Sequence, residues 1–545
     1  MIITSILLLH FSQQQSLPPA DPRDLAEAQA HGWIIRESTD AQSGIGMRFF
    51  VSSDGRRQGP FHSWYKSGRI RSTSRYSNGE RFGPAQWWYE TGKPWKAGSF
   101  QGDQMSGRWT IWSENGTKSS EGSYKKDLPD GTWSFTYPNG RPAARGSYDH
   151  ALQNGKWTFW NQDGSIKAAG TFFDGYLARN GRKPEIARIV PPEAPGSGPP
   201  ARLDVRVDPR MELLAVIQSF TDWAGWGVFD QTGSQYHHDV TAWFGRFKGH
   251  GAVQLLNKML HGNPSFSFDA PVNWILHYGD PPDLPAKGVV PGSIEIRGGG
   301  KAQIESLAEA FRQFARETKF DEFFREHRPF YDSLIRDYRQ LSPGERALKL
   351  VQDYYGERKS AATVIVAPLF GGGNYGPLIQ EPDGPHIYNV GAPQLFREGK
   401  YGFDRDVLQS LIYHEFGHSF TNPAVDGFAE KDKHASELFP LVRDKMAAMA
   451  YSNWRSTLYE LFVRTNEIHL TALDGNPSYA RDMLGSYVSK GFVWLPYTIS
   501  LLQEFDRDRK RYPTFRDFLP RLFQVFEETE PFVVDGNLIC VLPKG

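Results

Sequence analysis

The 545-residue sequence carries a single cysteine, Cys540. Neither a disulfide framework nor a cysteine-based zinc ribbon can be built from it, so any metal site must draw on His, Asp or Glu. Net charge is absent too, because 62 Lys and Arg balance 62 Asp and Glu. Such a chain lacks the field that draws a protein to nucleic acid or acidic lipid, which sets nonspecific DNA binding aside. No segment offers the ~20 consecutive apolar residues of a membrane-spanning helix. The apolar run at residues 2–11 has no basic residue ahead of it, yet with the polar stretch and Ala20 behind it the run reads as the core and cleavage zone of an export signal. Residues 1–20 are therefore expected to be a signal peptide and the protein to be periplasmic or extracellular; a run that is not a signal would leave it cytoplasmic.

Glycine (54 residues) and aromatic side chains (14%) are abundant, and their excess is local. Gly59, Gly83, Gly107, Gly131 and Gly155 lie 24 residues apart, and so do Gly68, Gly92, Gly116, Gly140 and Gly164. The same period runs through Tyr76, Phe100, Tyr124, Tyr148 and Phe172, and through Gly98, Gly122, Gly146 and Gly170. In each unit an alternating aromatic run, such as Trp109 to Trp112, leads to a turn of the Asn-Gly or Asp-Gly kind. Period-2 aromatics closed by such a turn predict a β-hairpin. One hairpin cannot bury its aromatic face alone, so five stacked units are expected to form a meander with a continuous aromatic core. The pattern G-x-W-x-x-W-x-x-x-G over residues 45–178 resembles the membrane occupation and recognition nexus (MORN) repeats and related antitoxin-like bacterial repeats. That resemblance implies a binding or spacer module and names no ligand.

Residues 183–203 concentrate Pro and Gly as a linker does, and the boundary is placed near Asp204. Beyond it the segments 210–223, 302–318 and 345–356 space apolar residues by three and four, which predicts amphipathic helices. Residues 361–370 and 386–390 read as strands. The expected fold is thus multidomain: an all-β hairpin-repeat meander followed, over 204–545, by a mainly α (α+β) zincin-like domain.

The chemistry is concentrated in residues 404–423, DRDVLQSLIYHEFGHSFTNP. Asp404 is a predicted N-cap and Pro423 a predicted stop. The helix between them carries HExxH, which sets His414 and His418 one turn apart on one face where both can reach a single Zn²⁺, with Glu415 beside the ion as general base. A third protein ligand is needed. Thr421 and Ala424 stand where the metzincin pattern wants Gly and His, so that class is excluded. A gluzincin takes a Glu from a second helix, and residues 456–473 offer Glu460 and Glu467. Glu460 is preferred, because Arg464 four residues on can hold its carboxylate; Glu467, His434 and Glu437 are the reserves.

The segments RMELLAVIQSF, HHDVTAWFGRFKGH, LIYHEFGHSFTNP and YELFVRTNEIHL resemble a bacterial family of unknown function predicted to be gluzincin-type HExxH metallopeptidases, over about residues 205–530. The resemblance implies His414, His418 and Glu460 as zinc ligands and Glu415 as catalytic base, and brings no substrate. By analogy with such folds, residues 361–370 are expected to form an edge strand that pairs with an extended peptide. Tyr459, His469 and Tyr497 are the visible donors for an oxyanion. The expected activity is zinc-dependent hydrolysis of a peptide bond, or of an amide in cell-wall peptide, with the repeats docking a protein or cell-envelope ligand. The alternative, from another class, is a non-catalytic binding protein whose metal is structural.

Overall fold

The computed structural model describes residues 17–40, 42–178, 202–226, 233–342, 344–370, 373–395, 400–428 and 433–544, of which Gly225, Trp226, Leu395, Lys433 and His434 are placed by their backbone alone. The expected signal peptide up to residue 16, and the expected linker up to residue 201, lie outside the described residues. The chain divides into two compact units: 1–185 with 484–496 and 529–545, and 186–483 with 497–528.

The first unit is the meander. Thirteen strands, β1 (Ile34–Thr39) to β13 (Tyr176–Ala178), form one antiparallel sheet in which each strand pairs with its sequence neighbours. The five expected hairpins are present, from Arg57–Trp64 with Ile70–Ser77 to Leu152–Trp160 with Ile166–Phe173. They are joined to one another by a second kind of turn, in which two successive residues take positive φ: Asn78-Gly79, Gly102-Asp103, Lys126-Asp127 and His150-Ala151, with Asp174-Gly175 leading in the same way to β13. Two-residue turns of this hand match the twist of the flanking strands. Two of these pairs hold no glycine, and at Lys126-Asp127 the cost is offset by the Asp127 carboxylate, which accepts from the Met105 amide at 2.7 Å.

The aromatic core explains one glycine series. A Cβ on Gly98, Gly122 or Gly146 would lie 2.1, 2.1 and 2.0 Å from the indole of Trp109, Trp133 and Trp157 respectively. Each indole lies against the bare backbone of the preceding strand, and its N–H donates to the carbonyl of Ser99, Ser123 or Ser147. Between them Tyr124 and Tyr148 stand edge-on, so that Phe100, Trp109, Tyr124, Trp133, Tyr148 and Trp157 form an unbroken edge-to-face ladder with centroids 5.0–6.2 Å apart. That is the arrangement the ring quadrupole favours.

The sequence reading assigned 204–545 to one domain, but the terminal strands Thr529–Val534 and Asn537–Pro543 group with the meander. Phe532, Val534, Cys540 and Leu542 of this hairpin share a buried core with Trp157, Phe159 and Phe172, which would otherwise face water. Phe532 meets Phe159 edge-on at 5.0 Å, Lys167 pairs with Glu530 at 2.9 Å, and Ser113 donates to Asp535 at 2.7 Å.

The second unit is mainly helical, and the amphipathic segments form helices at Pro209–Gln218, Lys301–Glu317 and Gly344–Tyr355. Its small sheet has the order β14 (Leu203–Arg206), β15 (Ala361–Val366), β17 (Gly384–Gly391), β16 (Leu378–Glu381). β15 is not the expected edge strand. It pairs in parallel with β14 on one side and β17 on the other, as its continuous β-branched run allows, and the antiparallel outer strand is β16. Two long helices, Arg405–Asp426 and Trp454–Leu473, pack against one another beside this sheet.

Candidate metal centre

The helix Arg405–Asp426 begins where the Asp404 carboxylate accepts from the amides of Asp406 (2.9 Å) and Val407 (3.1 Å), a side-chain cap for its first free N–H groups. It does not stop at Pro423 but runs on to Asp426. Proline removes only its own N–H from the ladder, and burial of Ala424 and Val425 holds the last turn in place. The partner helix is capped by Asn453, which accepts from the Ser456 amide at 2.9 Å. Tyr355 ties the two helices together: its hydroxyl meets Thr421 at 3.1 Å, accepts from Asn466 at 3.0 Å, and its ring stacks on Phe420 at 4.7 Å.

On this frame the preferred triad converges. One ligand atom each of His414, His418 and Glu460 lies within 4.8 Å of the others. The two Nε2 atoms are 3.3 Å apart, and the Glu460 oxygens lie 3.4 Å from His418 Nε2 and 3.7 Å from His414 Nε2. The far side of each ring is occupied. Glu467 accepts from His414 Nδ1 at 2.9 Å, and Asn422 Oδ1 accepts from His418 Nδ1 at 3.1 Å. With both Nδ1 atoms donating, each Nε2 presents its lone pair to the common point, the tautomer a metal ligand needs. Two imidazoles and one carboxylate are a donor set of the kind zinc takes when a fourth position is left for water or substrate.

Electrostatics separate the carboxylates. Burial alone would raise Glu460, but Arg464, which donates to it at 2.7 Å, and then the two histidines hold it down to about 2. Burial, outweighing the pull of Glu460, drives His414 well below the usual imidazole range and favours the neutral ligand form. Glu415 is also buried; desolvation first, then the charges of Glu460 and Glu467, push it well above the usual carboxyl range. The loop before β16 passes close to its backbone, since a Cβ on Gly376 would lie 2.0 Å from the Glu415 carbonyl oxygen. Only glycine allows this approach.

The reserve residues take other places. Glu467 serves His414 from behind, Glu437 is exposed and joins no ligand cluster among the described residues, and the side chain of His434 lies outside them. Of the expected oxyanion donors, Tyr459 donates to Asp426 and His469 pairs with Asp506 at 2.9 Å, while Tyr497 is buried. The phenol that reaches the site is one that sequence reasoning missed. Tyr451 hydrogen-bonds to Glu460, and its hydroxyl accepts from Arg464 at 3.0 Å. It lies before the helix, outside any motif spacing. Asn422 was likewise missed, although its position four residues past His418 on a helix was a usable signal.

A family described as a domain of unknown function, DUF4932, matches residues 203–525. The chain belongs to this DUF4932 family. The matched range takes in the two helices Arg405–Asp426 and Trp454–Leu473 and leaves out the meander. No curated protein matches the chain. Among solved structures, similarity is found to a crystal structure of TarM (11% identity over 23% of this chain and 21% of that one, TM-score 0.12). It is also found to a GtfA/B complex with UDP and GlcNAc (9%, over 28% and 25%, TM-score 0.10). A third is a mutant of Staphylococcus aureus TarM in complex with Fondaparinux, alpha-GlcNAc-glycerol and UDP (10%, over 54% and 77%, TM-score 0.12). This DUF4932 chain spans about a fifth to a quarter of the length of the first two, and TM-scores this low carry no argument about its fold or activity.

Proposed function

We propose that this DUF4932 chain is a zinc-dependent metallopeptidase in which His414, His418 and Glu460 hold the ion and Glu415 is the general base. The observation that carries the reading is the convergence of three donors whose imidazoles are both locked in the ligand tautomer. When bound, the ion would polarise the scissile carbonyl and lower the pKa of water towards neutrality. The chain's own residues supply the rest. Glu415 takes the proton from water and passes it to the leaving amine. Glu467 and Asn422 fix the two imidazoles, and Arg464 with Tyr451 fixes Glu460. β16, the outer strand of the small sheet, follows the loop at Gly376 that touches the HExxH helix, and its edge is the one an extended peptide would pair with.

The alternative, a structural ion in a binding protein, calls for four protein donors, and three converge among the described residues. The meander fits a MORN-like binding or spacer module, and export remains part of the proposal. The test is elemental analysis of purified wild-type protein beside Glu460→Ala and Glu415→Gln, with peptide-library cleavage on the same samples. One zinc per wild-type chain is expected, weakened in Glu460→Ala and retained without cleavage in Glu415→Gln. Wild-type protein without zinc, or equal cleavage by Glu415→Gln, would overturn the assignment.

A further inference from the structure

In an Asn-Gly pair the backbone amide can approach the side chain of its neighbour, because glycine has no Cβ to crowd it. Four such pairs lie among the described residues, Asn78-Gly79, Asn115-Gly116, Asn139-Gly140 and Asn154-Gly155, all in the meander. A fifth, Asn180-Gly181, lies outside the described residues. In the first three both reacting groups are tied elsewhere. The amides of Gly79, Gly116 and Gly140 donate to the carbonyls of Arg57, Ser113 and Tyr137, each at 2.8 Å. Asn78 Oδ1 accepts from Gln58 at 3.0 Å. Asn115 accepts from the Thr117 amide at 2.8 Å and donates to the Pro138 carbonyl at 3.0 Å. Asn139 does the same with Arg141 at 3.0 Å and Gln162 at 3.2 Å.

Asn154 differs in both respects. The Gly155 N–H donates to Asn154 Oδ1 at 3.0 Å, so the amide nitrogen lies against the carboxamide of its own neighbour. Asn154 Nδ2 has no hydrogen-bond partner among the described residues. Pairing with the preceding strand passes from Ser147↔Asn154 directly to Arg145↔Thr158, which leaves Gly155 without a partner on that side. Gly155 is exposed, and a Cβ placed on it would meet no atom within 4 Å, so the reacting groups have room. In the other repeats the residue before this glycine is Gln58, Phe82, Ser106 or Asp130, so asparagine stands there in the last repeat alone.

We propose that Asn154 is a self-modifying site, at which the chain deamidates through a cyclic imide with water as its only co-reactant. The Gly155 nitrogen bonds to Asn154 Cγ, the Cγ–Nδ2 bond breaks, and ammonia leaves with the proton that the Gly155 nitrogen loses. Water then opens the imide at either carbonyl, giving aspartate or an isoaspartate whose main chain runs through Cβ and Cγ. A nucleophile held against its target is what speeds such an intramolecular step. Isoaspartate lengthens the main chain by a carbon just ahead of Trp157, whose indole donates at 3.0 Å to the carbonyl of Ser147, the residue paired with Asn154. The last rung of the aromatic ladder therefore loosens as the molecule ages. The inference uses the first unit alone and does not rest on the metal reading.

The test is incubation of the purified full chain at mildly alkaline pH, with tryptic peptides followed by mass and their isoaspartate measured by enzymatic methylation. Asn154 should convert about tenfold faster than Asn78, Asn115 or Asn139, which must first break hydrogen bonds of that order of strength. In guanidinium the four rates should draw together. Aged wild type should melt below aged Asn154→Gln, whose longer side chain does not form the five-membered imide. Conversion of Asn154 no faster than of the other three, or a lead that persists in guanidinium, would overturn the proposal. Conversion at Asn154 without isoaspartate would overturn the imide route, and equal melting of the two aged proteins would overturn the effect on the ladder.

Discussion

Replacing Glu467 by alanine tests whether this residue is a ligand or the support of one. The carboxylate is buried and accepts from His414 Nδ1 at 2.9 Å. Hydrogen bonds to charged groups contribute about 1.5–3 kcal/mol, and ~1.4 kcal/mol is a factor of ten in an equilibrium constant. Glu467→Ala should therefore weaken zinc binding by about 10- to 100-fold, the range seen for residues that orient a metal-ligating histidine. Glu467→Gln keeps a carbonyl acceptor at the same place and should lose less. Competition titration against a chromophoric chelator at fixed pH reads both values, with Glu460→Ala alongside as the larger loss. If Glu467→Ala binds zinc as tightly as wild type, the hydrogen bond does not orient His414 for the metal. If it abolishes binding while Glu460→Ala binds normally, the ligand assignment is reversed.

Three further outcomes follow from other parts of the molecule. Glu212 is buried against the Tyr236 hydroxyl at 2.5 Å, and desolvation raises it from 4.5 to about 8. The folded state thus binds a proton the unfolded state releases, and this contribution, intact below pH ~4.5, is lost as pH rises towards 8 at up to ~1.4 kcal/mol per pH unit; denaturant titrations should show Glu212→Gln gaining on wild type by a few kcal/mol across that window. Gly122→Ala forces a Cβ to within 2.1 Å of the Trp133 indole and should destabilise the meander by about 1–3 kcal/mol, measured as a lower midpoint in its tryptophan-fluorescence transition. Truncation after Glu528 strips Phe532, Val534 and Leu542 from Phe159 and Phe172; at ~1.5–3 kcal/mol per side chain it should lower the melting of the repeats, and an unchanged melting curve would count against the shared core.

The repeats were legible because a 24-residue period makes four residue series coincide, each with its own physical task. The Asn-Gly turns signalled themselves through glycine, whereas Lys126-Asp127 and His150-Ala151 reach positive φ without it and gave no sign. The convergence of His414, His418 and Glu460 was legible for a similar reason: HExxH fixes spacing along one helix, and Glu460 is marked by Arg464 one turn on. What stayed hidden depended on contacts between distant segments. The place of Tyr451 follows from a loop that returns to Glu460. The central position of β15 follows from pairing with β14, more than 150 residues earlier. Pro423 misled because helix packing on its far side outweighed its local preference.

The grouping of the terminal hairpin with the meander has a bearing on synthesis. A nascent chain that has released all five repeats still presents Trp157, Phe159 and Phe172 without their cover, and it keeps doing so through the more than 300 residues that build the second unit. The repeats therefore finish folding only after Leu542 has left the ribosome. A break in translation between the last repeat and Thr529 yields a fragment whose first-made third leaves these rings uncovered, which makes the exposed aromatic face a built-in mark of an unfinished molecule.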